Sequence, residues 1–208
     1  MIQDSSVDPA RPTAAIILSA GCSARMGSPK ALLRFGDETA LERMVRVLRE
    51  AGVDQLVLVL NRELASLKPI HSLRGLTRVV NPRPERGQTS SIQTGIQNLC
   101  AGAGSFLLCP VDTPLFEPDD VRQLLAAFEK RPAGVRIVVP SYKHRRGHPV
   151  LFHRELAAEF LRLPSETPAH AVLRADPDRV LHLVTENEDL VLDLDTDEAY
   201  RDALKRRF

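Results

Sequence analysis

The sequence is poor in cysteine, has no long apolar run and carries almost no net charge. Its three cysteines, Cys22, Cys100 and Cys109, form no C-x-x-C pair, a pattern that argues against a zinc site and for a reducing compartment. No apolar run reaches the length that spans a membrane, and residues 1–12 lack the apolar centre of a secretory signal. The net charge of +1 over 208 residues provides no basic face for nucleic acid. We therefore expect a cytoplasmic protein without a membrane or nucleic-acid partner.

Apolar runs and helix-like repeats alternate along the first two thirds of the chain. The run at 13–20 is short and rich in small and β-branched residues, which indicates a buried strand. Thr39 and Glu42 form a capping-box pattern at the start of a helical repeat. This alternation predicts an α/β fold with a doubly wound, mostly parallel sheet. The predicted strands are 13–20, 55–60, 77–80, 105–109 and 136–139, and the predicted helices are 39–51, 90–99 and 119–130.

The pattern is looser after about residue 141, but it still indicates alternating elements. No internal repeat, low-complexity segment or linker interrupts the chain. We therefore expect a single domain over 13–208, preceded by a flexible N-terminal arm over 1–12. In the last third the predicted strands are 149–152, 180–185 and 190–194, and the predicted helices are 153–161, 168–174 and 197–207.

A loop rich in glycine and serine follows the first predicted strand, over residues 18–30. Ligands of parallel sheets bind beyond the carboxyl ends of the strands, where glycine lets the backbone approach a phosphate. Arg25 and Lys30 add two cations for a polyphosphate. Gly21 and Gly27 do not form the G-x-G-x-x-G dinucleotide pattern, and the loop has no Walker spacing. The alternative is a solvated turn that happens to carry two cations.

A lone aspartate, Asp112, follows the predicted strand 105–109. At the carboxyl edge of a sheet such a carboxylate can hold Mg²⁺, with water and phosphate oxygens as the other ligands. The alternative is an Asx turn or a helix cap before Pro114.

The segment 81–95 places glycine and hydroxyl side chains at the start of a helix. Helix N-termini bind anions, so this segment is a candidate binding element. The alternative is ordinary capping of the helix by Thr89 or Ser90.

The segment 145–149, R-R-G-H-P, is a compact basic loop. Arg145, the arginine beside it and His148 are able to clamp the phosphate of an acceptor. The alternative is a solvated hairpin whose histidine is satisfied locally. The remaining histidines His170 and His182 have no such context, and we expect no role for them.

The loop motif L-S-A-G-x-S-x-R-M-G-x-x-K-x-L-L at 18–33 resembles the nucleotide-binding signature of the MobA/MocA group of nucleotidyltransferases. Members of this group attach GMP or CMP to molybdopterin. The resemblance implies a Rossmann-like fold in which Arg25 and Lys30 bind the phosphates and act in catalysis. The segment 81–95 is similar to the part that borders base and ribose. The nucleotide-binding residues implied are Leu18, Ser19, Ala20, Gly21, Arg25, Lys30, Asn81, Ser90 and Ser91.

Three later motifs extend the resemblance. Asp112 in D-T-P matches the metal-binding aspartate of the family, which holds Mg²⁺. Asp195 lies in D-L-D-T-D, similar to a late family element, and is a candidate second metal ligand; the alternative is capping of the last helix by Asp195 or Thr196. The G-H-P-V motif is typical of cytidylyl members and implies an acceptor site. The acceptor-binding residues implied are Arg145, Gly147 and His148.

The resemblance implies that an acceptor phosphate attacks the α-phosphorus of a nucleoside triphosphate and releases pyrophosphate, which needs no protein nucleophile. Ala20 before Gly21, together with G-H-P-V, favours CTP and molybdopterin, whereas Gln88 departs from the methionine common in cytidylyl members. GTP and another phosphorylated acceptor are the alternatives. A nucleotide-sensing cofactor chaperone is the non-enzymatic alternative, and an apo-molybdoenzyme is a further candidate partner.

Overall fold

The computed structural model describes residues 11–21 and 28–207. The strands are β1 (Thr13–Ser19), β2 (Arg34–Phe35), β3 (Glu38–Thr39), β4 (Gln55–Leu60), β5 (Thr77–Val80), β6 (Ser105–Pro110), β7 (Ile137–Tyr142), β8 (Arg145–Arg146), β9 (Val150–His153) and β10 (Val180–Val184). The helices are α1 (Ala40–Glu50), α2 (Arg62–Ala65), α3 (Lys68–Ser72), α4 (Gln88–Ile96), α5 (Pro118–Glu129), α6 (Ala157–Arg162), α7 (Ala171–Arg174) and α8 (Asp197–Arg207). The predicted arm at 1–12 lies almost wholly outside these residues.

An eight-stranded sheet forms the centre of the molecule. Its order is β10-β7-β9-β6-β1-β4-β5, and β8 pairs with β7 at one side. β1 runs parallel to both β4 and β6, and β10 runs parallel to β7. Among the described strands of this sheet, β9 and the short β8 run antiparallel to their neighbours. The predicted doubly wound, mostly parallel α/β sheet is therefore confirmed.

Both faces of the sheet are covered by helices, which explains the continuous apolar runs of the strands. Along β1, Ala15 and Ile17 pack with α1 and α5, whereas Ala14 and Ile16 pack with α4 and α6. A Cβ atom added to Gly95 of α4 would lie 2.4 Å from the Ile16 side chain. The glycine therefore lets α4 lie directly against β1.

A smaller cluster joins the C-terminal helix to the segment that follows the first loop. Phe35 of the β2–β3 hairpin meets Tyr200 of α8 edge to face, with ring centroids 5.4 Å apart. Leu194 is buried in the same cluster. This packing carries the chain preceding α8 toward the carboxyl edge of β1.

The prediction of a strand at 190–194 is wrong. Residues Glu188–Val191 form a 3₁₀ turn, and the Asn187 side chain accepts a hydrogen bond from the Asp189 amide at its start. Leu190 and Val191 are buried, so their apolar character reflects packing rather than strand pairing. The segment predicted as helix 153–161 is also divided, into a 3₁₀ turn at Arg154–Leu156 and α6.

Within residues 11–21 and 28–207, none of the helices combines the length and apolar character needed to cross a membrane.

Candidate active site

The carboxyl ends of the parallel strands meet at one edge of the sheet. β1 leads into Ala20 and Gly21, β4 into Asn61, β5 into Asn81 and β6 into Asp112, two residues after the strand ends. In an open α/β sheet this edge is where ligands bind. Two adjoining clefts lie there.

The first, which we call the loop cleft, has a volume of about 610 Å³. It brings together residues that the sequence predicted separately, including the nucleotide-binding loop and the metal-binding aspartate. Its lining contains these predicted residues: Leu18, Ser19, Ala20, Gly21, Lys30, Ser91 and Asp112. Arg25, the second predicted cation, lies outside the described residues.

Lys30 lies between two carboxylates. It begins a 3₁₀ turn, Lys30–Leu32, and its ammonium contacts the Asp195 carboxylate and lies 3.9 Å from Oδ2 of Asp112. The Leu194 amide donates to the Asp112 carbonyl at 2.8 Å, which holds the two aspartates together. A cation and two anions thus meet at the edge of the loop cleft.

Asp112 is electrostatically unusual. Loss of hydration raises the pKa of its carboxyl group, Lys30 opposes that rise, and the charges of Asp193 and Asp195 add to it. Helix α5 begins only at Pro118, with Glu117 as its N-cap, so the capping alternative for Asp112 is wrong. A partly desolvated carboxylate among like charges is suited to a metal cation or to an ammonium group.

Asp195 does not cap the last helix either. The Thr196 hydroxyl accepts a hydrogen bond from the Ala199 amide at 3.1 Å, whereas the Asp195 carboxylate accepts one from Lys30. Among residues 11–21 and 28–207, no group of three or more His, Cys, Asp or Glu side chains is arranged to hold a metal ion. A metal at Asp112 and Asp195 would therefore need further ligands from phosphate or water.

Asn81, Ser90 and Ser91 form a buried hydrogen-bond group at the start of α4. The Asn81 amide donates to Ser90 Oγ at 2.8 Å and to Ser91 Oγ at 3.0 Å. The helix begins at Gln88 after Gly87, and none of the described side chains caps it. The predicted start at residue 90 and its capping by Thr89 or Ser90 are therefore wrong. Of the three predicted residues, Ser91 reaches the loop cleft.

The second cleft, which we call the apolar cleft, has a volume of about 520 Å³. It shares Leu18, Gly87, Gln88 and Pro110 with the loop cleft, so the two clefts meet at the start of α4. Gly87 has φ 95°, a conformation that favours glycine. The apolar side chains of its wall include Ile92, Leu108, Val139, Val150, Phe152, Phe160 and Leu173.

The G-H-P-V loop forms one side of the apolar cleft. The His148 amide donates to the Leu190 carbonyl at 2.8 Å, and the His148–Pro149 peptide is cis. A Cβ atom at Gly147 would lie 2.3 Å from the Leu190 carbonyl oxygen, so only glycine fits. Burial lowers the pKa of His148, opposed by the Asp193 charge. A neutral imidazole therefore lines this cleft.

The two arginines of the basic loop differ in position. Arg145 donates to the Val191 carbonyl at 3.0 Å and is not among the residues that line the apolar cleft, whereas Arg146 is. His170, for which the sequence predicted no role, also lines the apolar cleft. No local motif marks His170; only the placement of the 163–170 segment beside α4 brings it there.

The mostly parallel sheet with helices on both faces makes the chain a Rossmann-like α/β protein, and both clefts lie at the edge where such sheets bind ligands. The match to one family is more specific: the chain agrees with the MobA-like NTP transferase domain over residues 15–180 and belongs to that family. The predicted membership of a MobA-like nucleotidyltransferase family is thus confirmed.

Individual relatives are consistent with this assignment. Over 122 residues the chain is 33% identical to the molybdenum cofactor guanylyltransferase of Xanthomonas euvesicatoria pv. vesicatoria (strain 85-10). This match covers 58% of each protein, so the chain spans little more than half the length of that relative.

Two crystal structures of one mycobacterial protein are also similar. Rv0371c from Mycobacterium tuberculosis H37Rv matches with a TM-score of 0.81 and 28% identity, over 94% of this chain and 99% of that chain. Its complex with manganese matches with a TM-score of 0.76 and 26% identity, over 93% of this chain and 98% of that chain.

Proposed function

We propose that the protein transfers CMP from CTP to the terminal phosphate of molybdopterin and releases pyrophosphate. The observation that carries this proposal is the position of Lys30 beside Asp112 and Asp195, in a cleft that adjoins a second, apolar cleft. One cleft suits a nucleoside triphosphate and the other suits its acceptor. We propose a single catalytic domain over 13–208 that works in the cytoplasm.

The nucleotide occupies the loop cleft in this proposal. The backbone of Ser19 to Gly21 borders the cleft where β1 ends, and Ser91 borders it at the start of α4. Asn81 holds Ser91 in place by donating a hydrogen bond to its hydroxyl, and it donates to the Ser90 hydroxyl as well. Lys30, together with Arg25, binds the phosphates and stabilises the charge that develops on the leaving pyrophosphate.

Asp112 and Asp195 would hold a divalent cation. Both carboxylates already converge on one positive charge, the Lys30 ammonium, and carboxylate oxygens are ligands that Mg²⁺ prefers. A similar protein, Rv0371c, has been crystallised with manganese, which supports a divalent metal. When bound, Mg²⁺ would neutralise charge on the phosphate oxygens.

The acceptor occupies the apolar cleft. Its phosphate oxygen attacks the α-phosphorus in line, the new P–O bond forms, and the bond to pyrophosphate breaks. Gly147 and His148 shape one wall of that cleft, and Arg146 lines it. Arg145 acts indirectly, because its bond to the Val191 carbonyl fixes the turn on which the His148 amide rests.

GTP is the second candidate donor, and the observation that favours it is the name of the Xanthomonas relative, a guanylyltransferase. Transfer to another phosphorylated acceptor uses the same mechanism. A nucleotide-sensing chaperone without catalysis would not need Lys30 and Asp112 together at one cleft. Delivery of the product to an apo-molybdoenzyme is compatible with catalysis.

The test is pyrophosphate release in the presence of Mg²⁺ with CTP, GTP, ATP or UTP, with and without molybdopterin. Release that requires both CTP and molybdopterin supports the proposal. Release with GTP and molybdopterin supports the same type of reaction, with GTP instead of CTP as the donor. If the folded protein binds one nucleotide but releases pyrophosphate with none of the four, molybdopterin is not the acceptor. A panel of phosphorylated alcohols and sugars then distinguishes an enzyme with another acceptor from a nucleotide-sensing chaperone.

A further inference from the structure

An ion pair lies beside the junction of the two clefts. Arg86 ends the 3₁₀ turn Pro84–Arg86 and immediately precedes Gly87, which lines both clefts. Its Nε donates to Glu166 Oε1 at 3.0 Å, and a second guanidinium nitrogen lies at the same distance. Glu166 belongs to the 163–170 segment and lines the apolar cleft. The pair therefore joins the cleft border to the apolar cleft over 80 positions of sequence.

Glu166 has the wrong charge for a cleft that receives a phosphorylated acceptor. Among the described residues that line the apolar cleft it is the one acidic side chain, beside Arg146, His148 and His170. A free carboxylate there would repel a phosphate dianion. Its own backbone amide and, to a smaller extent, the Arg86 guanidinium lower the pKa of Glu166, so both groups favour the ionised carboxylate.

The backbone around this pair is held independently of it. Thr89 Oγ1 donates to the Thr167 carbonyl at 2.5 Å, and the Gln93 amide donates to the Phe160 and Leu163 carbonyls at 2.9 and 2.8 Å. The side chains of the pair, by contrast, are 36% and 65% exposed. Exchange of partners by Arg86 therefore needs only side-chain rotation at the surface.

We propose that Arg86 binds the phosphate of the acceptor, and that Glu166 holds its guanidinium in place until that phosphate displaces the carboxylate. This proposal rests on the function proposed above. A planar guanidinium offers two parallel donors to either a carboxylate or a phosphate, so the two anions compete for the same group. Arg86 lines neither described cleft itself, but it precedes Gly87, which lines both, and its guanidinium lies 3.0 Å from Glu166, which lines the apolar cleft. Glu166 then discriminates against uncharged acceptors, because they cannot displace it from Arg86.

The two partners should respond to mutation in opposite directions. In pyrophosphate-release assays with saturating CTP, Arg86→Ala should raise the KM for molybdopterin about tenfold or more, which is the usual effect of losing one charged hydrogen bond. Glu166→Gln should lower that KM by up to about fivefold, because the exposed competitor is removed. The KM for CTP should stay unchanged in both, and Arg86→Lys should restore part of the loss.

A purely structural ion pair gives a different result. If the pair only fastens the 163–170 segment, both substitutions weaken acceptor binding in the same direction, and that outcome overturns the proposal. Arg206→Ala is the matched control, because Arg206 also forms an exposed ion pair, with Glu188, and neither residue lines the described clefts.

A second measurement does not depend on turnover. Inorganic phosphate is titrated against the melting temperature of each variant, with potassium chloride at equal ionic strength as the reference. Phosphate should stabilise Glu166→Gln more than the wild type, and Arg86→Ala less. Equal phosphate effects in all variants overturn the role of Arg86. If no nucleotide supports pyrophosphate release while these phosphate effects appear, the proposed reaction fails but the anion site at Arg86 stands.

Discussion

Lys30 and Asp195 are separated by 165 positions in the chain, yet the ammonium group of one contacts the carboxylate of the other. The contact arises because the Leu194 amide binds the Asp112 carbonyl and Thr196 caps α8, so Asp195 projects toward the turn that begins with Lys30. A triphosphate and a metal cation would separate this pair, since the phosphate attracts the lysine and the metal attracts the carboxylate.

Removal of the Lys30 ammonium should reduce turnover strongly. Lys30→Ala should lower kcat about a hundredfold or more, the usual effect of losing one group that stabilises transition-state charge. Steady-state pyrophosphate release measures it, and Lys130→Ala, an exposed lysine at the end of α5, is the control. A near-normal rate in Lys30→Ala would show that the loop only binds nucleotide.

Asp112→Asn should abolish turnover while the protein stays folded, because the variant keeps the shape and loses the charge. Asp37→Asn, which alters an exposed carboxylate in the β2–β3 turn, should keep full activity. Circular dichroism checks the fold of both variants. Full activity in Asp112→Asn would remove Asp112 from the mechanism.

The same substitution should change how stability depends on pH. The folded protein raises the pKa of Asp112 above its ordinary value of 3.8, so between 3.8 and the raised value the folded state binds more protons than the unfolded state. The wild type should therefore lose stability relative to Asp112→Asn as the pH rises through that window, and the difference should be constant above it. Urea unfolding at a series of pH values measures this difference, and the opposite slope would contradict the desolvated carboxylate.

His148 should show the opposite dependence. Burial lowers its pKa below the ordinary 6.5, so the unfolded state takes up a proton first as the pH falls. The wild type should lose stability relative to His148→Gln as the pH decreases below about 6.5, and the two should run in parallel above it. Melting temperatures from pH 5 to pH 8 test this, and parallel curves throughout would show that His148 is not desolvated.

Gly95 should be intolerant of a methyl group. Gly95→Ala places a Cβ atom 2.4 Å from the Ile16 side chain and should lower the free energy of unfolding by about 1–3 kcal/mol. Gly102→Ala is the matched control, because no heavy atom lies within 4 Å of the added Cβ, and it should change stability by less than about 0.5 kcal/mol. Equal effects in urea unfolding would contradict the close approach of α4 to the sheet.

Much of the fold was predictable where one local signal dominated. The strands at 55–60 and 77–80 have the predicted bounds, and the Thr39–Glu42 capping box marks the start of α1 as predicted. The direction of β9, antiparallel between β6 and β7, was not predictable, because long-range packing decides pairing. The buried 3₁₀ turn Glu188–Val191 was predicted as strand, because a short apolar run does not distinguish the two.

The site was predictable in part for similar reasons. The loop motif and Asp112 follow strands directly, so the sheet brings them together. Neighbouring residues of a strand point to opposite faces, so only one of the two β8 arginines can face the apolar cleft. Which one does so depends on the register of β8 against β7, which the sequence does not reveal. The contact of Lys30 with Asp195 depends on the packing of α8 against the β2–β3 hairpin, which no local pattern encodes.

Transfer of CMP to molybdopterin is tested most directly by a competition between two labelled donors. Equal concentrations of CTP and GTP, each labelled at the α-phosphorus, are mixed with the protein, Mg²⁺ and molybdopterin, and the label in the dinucleotide product is identified. We expect labelled CMP attached to molybdopterin, and none with Asp112→Asn. A product that carries GMP would contradict the choice of nucleotide, and absence of label from molybdopterin with either donor would contradict the proposed transfer itself.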